Sequence, residues 1–132
     1  MKTTLFRIFS GILLSLTISA LVYADDVVVI TNSGINISSV EVKDIFLGEK
    51  QFAGDVKLKP VDNAAVQKDF LSKYLDMDAS KYNSIWTKKA FRDGLNPPPI
   101  KSSDADVIEY VKQTTGAIGY VSKGATGVNL VR

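Results

Sequence analysis

The sequence predicts an α/β fold: a mixed, mostly parallel sheet flanked by helices. Three observations carry that prediction. Strand-like and helix-like segments alternate along the chain, the pattern of a sheet covered on both faces. Val27-Val28-Val29-Ile30 is an unbroken apolar, β-branched run, as expected of a strand buried on both sides. Near the other end, Gly116-Ala117-Ile118-Gly119-Tyr120-Val121 reads as a helix stop followed at once by a buried strand. Gly119 leaves one position of that strand without a side chain, which marks a bulge or a close approach by other backbone or a ligand.

Residues 1–24 have the pattern of a secretory signal peptide. Lys2 and Arg7 supply the positive start, Ile8 to Leu16 an apolar run, and Val22-Tyr23-Ala24 the small residues of a cleavage site. Cleavage after Ala24 would leave 108 of the 132 residues, enough for one small domain over 25–132. Taking Lys2 and Arg7 from the sixteen basic residues leaves fourteen, against fourteen carboxylates, so that domain is formally neutral. The pI of 8.8 belongs to the whole chain.

After the first strand, Asn32-Ser33-Gly34 breaks the run. Ser38 then caps a helix, Glu41 completes a capping box, Ile37 and Val42 are placed for a hydrophobic staple, and Gly48 ends it. Val56 to Val61 alternates and reads as a strand, with Pro60 favouring an edge. Asp62-Asn63 caps a helix whose apolar face is Val66, Phe70, Leu71, Tyr74 and Leu75. Asp78 caps the next, with Tyr82, Ile85, Trp86 and Ala90 on one face; at that spacing Tyr82 and Trp86 are core residues. Arg92 to Pro99 is irregular, because three consecutive prolines cannot continue a helix. Ser103 and Asp106 open the helix that stops at Gly116, and Val128 to Val131 is a final strand. The expected order is β-α-β-α-α-loop-α-β-β, without repeat or interdomain linker.

Composition narrows function. With no histidine the chain lacks the commonest general base and metal ligand, and with no cysteine it lacks disulfides and thiolate sites. The Asp76/Asp78 and Asp104/Asp106 pairs fall at helix starts, where capping accounts for them. No enzyme, no metal and no cofactor is expected. A neutral domain without a basic run offers no footprint for nucleic acid. Helix starts do offer unpaired N–H groups and the positive end of a dipole to an anion. The candidates are therefore Ser38 and Ser39, Asn63, and Ser103, with Arg92 in the Gly/Pro-rich loop as counter-charge.

Val42-Lys43-Asp44-Ile45-Phe46-Leu47-Gly48 and the Gly116–Val121 strand together resemble the second lobe of periplasmic phosphate-binding proteins, the type II solute receptors of phosphate ABC transporters. The resemblance covers most of residues 26–131, including Lys59-Pro60-Val61-Asp62, Phe70 with Tyr74-Leu75, Trp86, Phe91-Arg92-Asp93-Gly94 and Asp104. It is similar to the small single-lobe members described as phosphate ABC transporter substrate-binding-like proteins. That resemblance implies one receptor lobe, periplasmic localisation, a phosphate-like anion and a membrane transporter or sensor as partner. In the family a Gly-Ser-Gly-Thr-like stretch holds phosphate after the strand matching Val56–Val61. Here that place reads Asp62-Asn63-Ala64-Ala65-Val66, so the role is not carried onto Ala64 or Ala65. The expectation is an exported, non-enzymatic solute-binding-like domain; the alternative is an adaptor for a sensor or transporter that has lost ligand binding.

Overall fold

The computed structural model describes residues 26–125 and 129–131. The expected signal segment over 1–24 and the Val128 start of the last strand lie outside them. The central sheet has four strands: β1 (Val27–Thr31), β4 (Lys59–Pro60), β7 (Ala117–Ser122) and β8 (Asn129–Leu130), in the order β4-β7-β1-β8. β4 runs parallel to β7, while β1 pairs antiparallel with both β7 and β8. The sheet is thus mixed, as expected, but its central pairing is antiparallel where a mostly parallel sheet was expected. The cause is connectivity. β1 and β7 lie side by side although most of the described residues separate them, and alternation along a sequence carries no information on their relative direction.

Both faces are covered. Helix α4 (Asp104–Gln113) lays Val107 and Val111 on the face formed by Ile30, Val61, Ala117 and Val121. Gly119 belongs to that face. A Cβ there would stand 2.7 Å from Val107 Cγ1 and 2.9 Å from Val61 Cγ1, so the missing side chain is what lets α4 sit against the sheet. On the other face, Val27, Val29, Ile118 and Tyr120 meet the larger core. That core is built from α1 (Val42–Phe46), α2 (Gln67–Phe70) with its π-helical continuation Leu71–Leu75, and α3 (Ala79–Asp93). Phe70 stacks on the Tyr120 ring at 3.7 Å between centroids, and Phe46 meets Phe70 edge-on at 4.7 Å.

Several local signals act as expected. A 3₁₀ turn at Ser39–Glu41 leads into α1, the Glu41 carboxylate accepts from Ser38 N–H at 2.8 Å, and Gly48 ends the element at φ +76°. Asp78 accepts from Lys81 N–H at 2.9 Å to cap α3, and Trp86 donates its indole N–H to Phe46 O at 3.1 Å. Gly116 follows α4 at φ +83°, its α-carbon pressed against the Lys57 carbonyl.

The segment read as one strand over Val56–Val61 is divided instead. Gly54, at φ +61°, turns a short hairpin of β2 (Phe52–Ala53) and β3 (Val56–Lys57). β4 follows, and the chain then enters β5 (Asp62–Asn63), which pairs parallel with β6 (Ile100–Lys101). Asp62 and Asn63 are therefore buried strand residues, and the helix they were expected to cap begins at Gln67.

Candidate functional site

β4 runs parallel to the first residues of β7, with Lys59 beside Ala117 and Pro60 beside Ile118. Beyond β4 the chain passes through β5 and then into α2, while β6, parallel to β5, leads into the start of α4. One side chain joins the two. Asn63 Nδ2 donates to Asp104 Oδ1 at 2.7 Å and to Tyr120 O at 3.0 Å, while Asn63 Oδ1 accepts from Ala65 N–H at 3.0 Å. Asn63 is fully buried, and each of its polar atoms is engaged inside the protein. Asp104, the first residue of α4, also accepts from Ser122 N–H at 3.3 Å. A carboxylate of the protein itself thus sits in the first turn of α4, where a helix dipole favours negative charge.

Beside it lies Asp62, only 3% exposed. Its two oxygens accept from the Tyr120 and Tyr82 hydroxyls, each at 2.8 Å. Burial pushes the Asp62 carboxyl up from 3.8 to about 6, against hydrogen bonds from Tyr120, Tyr82 and Gln67 that favour the ionised form. Burial, with the Asp62 charge beside them, pushes both tyrosine hydroxyls far above their ordinary range. They stay protonated and remain donors. Tyr82 and Tyr120 tie α3 and β7 to β5 through this one carboxylate.

Of the five residues singled out from sequence, the fold brings Asn63 and Ser103 to the same junction. Ser103 accepts from Asp106 N–H at 3.2 Å as the cap of α4. Ser38 lies beyond β1, which leaves the sheet at the opposite end, beside the start of β7. Its hydroxyl donates to the Glu41 carboxylate at 3.0 Å, and those bonds hold Glu41 below the usual carboxylate range. Ser39 is exposed in the same turn. Arg92, exposed near the end of α3, turns its fork onto Asp93 at 3.1 and 3.2 Å. Sequence reasoning missed Asp62 and Asp104 as the charged centre of the junction. Both read as caps, and the tyrosines that mark Asp62 lie 20 and 58 positions away. Among the described residues no three carboxylates are grouped to hold a metal ion.

A separate cleft of about 420 Å³ opens beside the edge strand β4, between the Pro97–Pro99 segment and Trp86. None of Ser38, Ser39, Asn63, Arg92 or Ser103 lines it.

The fold, a mixed sheet with helices on both faces, is similar to part of three solved structures. A phosphate ABC transporter substrate-binding protein of Clostridium perfringens, described with bound phosphate, superposes with a TM-score of 0.61 at 18% identity, over 82% of this chain and 44% of its own. PstS of Borrelia burgdorferi gives 0.57 at 22% identity, over 81% of this chain and 46% of its own. An ABC-type phosphate transport receptor of Vibrio cholerae gives 0.53 at 14% identity, over 82% and 46%. The chain thus spans a little under half the length of the proteins it resembles, and at these identities the likeness is one of fold. No family model and no curated protein sequence matches it. No helix among the described residues is long and apolar enough to cross a membrane.

Proposed function

We propose that this chain is an exported, non-enzymatic solute-binding-like protein that takes a small phosphate-like oxyanion at the α2/α4 junction in the service of ABC-type transport. The observation that carries the reading is the contact of β5 with the first turn of α4, Asn63 to Asp104, in a fold shared with three phosphate receptors. Open α/β sheets hold their ligands beyond strand ends, near helix N-termini. Ser103 is the remaining candidate donor of the proposed site; Ser38 and Ser39 lie toward the opposite end of the sheet, and Arg92 is paired with Asp93. The non-enzymatic reading is supported by the absence of histidine and cysteine, and by Asp62 facing two phenol hydroxyls rather than a second carboxylate.

Binding at this place is weak. A single lobe leaves one side of the anion in water, where charge-assisted hydrogen bonds gain least, and Asp104 repels what the helix starts attract. Isothermal titration of the chain beginning at Asp25 against phosphate, sulfate and small carboxylates tests this. The expected phosphate dissociation constant is weaker than about 1 μM, roughly −8 kcal/mol. Intact mass of the exported protein, expected to begin at Asp25, tests the signal segment.

A second reading rests on the burial of Asn63. With its polar atoms engaged internally, the junction is closed by the protein's own groups, as in an adaptor for a sensor or transporter. Silence in every anion titration, with capture of a membrane partner, would favour it.

A further inference from the structure

The cleft beside β4 is made of two kinds of surface. Its floor is apolar: Ile45, Leu58, Leu95 and the ring of Trp86, whose N–H is already bound to Phe46 O. Lys50, Lys57 and Lys59 stand among its lining residues, and no carboxylate does. In a domain with equal numbers of acidic and basic side chains, such a wall is a local excess of positive charge. Lys50 shares Glu41 at 3.5 Å, whereas Lys57 and Lys59 are exposed and have no carboxylate partner among the described residues. One wall is Pro97-Pro98-Pro99, whose fixed φ angles hold it in place without a ligand. The volume, about 420 Å³, is that of a small-molecule pocket.

We infer that this cleft is a binding site for a small amphipathic organic anion, its apolar body on Trp86, Leu58 and Leu95 and its acid group toward Lys57 and Lys59. A bare inorganic anion would leave the apolar floor wet, and a neutral apolar molecule would leave the lysines without a counter-charge. The site is independent of the proposed α2/α4 site, because Asp62, Asn63, Ser103 and Asp104 do not line it.

Trp86 is the only tryptophan of the chain, so its fluorescence reports on the cleft directly. The experiment titrates the full domain with octanoate, octanamide and inorganic phosphate. Octanoate should shift Trp86 emission and saturate below about 10 mM, with octanamide at least about tenfold weaker and phosphate without effect. Lys57→Gln/Lys59→Gln should weaken octanoate about tenfold while its melting temperature stays that of the parent; Leu58→Ala serves as a second variant, reducing octanoate and octanamide alike. Equal binding of octanamide, equal binding of phosphate, indifference to the double lysine change, or no response to octanoate would each overturn the inference. Failure of phosphate at the α2/α4 junction, read by calorimetry, would leave it standing.

Discussion

Asn63 Nδ2 lies 2.7 Å from Asp104 Oδ1, and through that contact β5 is tied to the start of α4. The protein has in effect placed its own anion at a helix N-terminus. Whether an external anion binds there becomes a question of competition with Asp104.

Asp104→Asn should therefore raise phosphate affinity several-fold. The substitution keeps an acceptor oxygen for Asn63 and Ser122 but removes the negative charge. Losing an acidic first-turn residue costs the helix about 0.3–1 kcal/mol. Calorimetry of both proteins, with melting curves as control, checks this; an unchanged or weaker affinity would show that Asp104 is not the competitor.

Asp62 makes stability depend on pH. Its folded-state value, raised from 3.8 to about 6, means that the folded protein holds the proton more tightly than the unfolded chain. The resulting stabilisation is fully present below about pH 4 and is lost as pH rises through about 6, for a total near 3 kcal/mol. Melting temperature should fall between pH 4 and 6 and level off above 7, once the surface carboxylates are allowed for. Asp62→Asn should flatten that slope, and parallel curves for the two proteins would refute the assignment.

Tyr120→Phe isolates one hydrogen bond in the same cluster. The ring still stacks on Phe70, but Asp62 loses a donor while remaining buried, which costs about 1.5–3 kcal/mol for a bond to a charged group. The loss should shrink at pH 5, where Asp62 is largely protonated. Urea unfolding at pH 7.5 and pH 5 measures both values.

Gly119→Ala and Gly116→Ala differ in what they strike. At Gly119 the new methyl meets side-chain methyls of Val107 and Val61, which can shift, and overpacking of this kind costs about 1–3 kcal/mol. At Gly116 it would stand 2.1 Å from the Lys57 carbonyl oxygen, at a positive φ as well. Gly116→Ala should destabilise more, to the point of poor soluble yield. Equal thermal stability of the two variants would contradict the geometry.

Much of the fold could be read before any coordinates because its signals are local. Ser38 with Glu41, Asp78, Ser103, Gly48 and Gly116 act on backbone within a few residues, and the β1 and β7 runs declare burial by composition alone. The junction was only half legible. Asn63 and Ser103 could be named as helix-start residues, yet nothing near them announces that Asn63 is buried or that Asp104 is its partner. Asp62 was read as a cap because a lone Asp after a strand looks the same whether it faces water or two tyrosines from distant segments. The direction of β1 against β7 escaped for the same reason: pairing partners 95 positions apart leave no mark on either sequence.

That separation has a consequence for how the protein comes into being. Val27 pairs with Ser122, and both neighbours of β1 in the sheet come from the last part of the chain. Folding must close a loop of nearly the whole domain before the central strands reward it, which places the molecule toward the slower, topology-limited end of small-domain folding. A nascent chain that has not yet delivered β7 has helices and two short strand pairs but no central sheet on which to pack them. The central sheet therefore stays open until residues 117–122 are made, and the closing event is the arrival of a single strand.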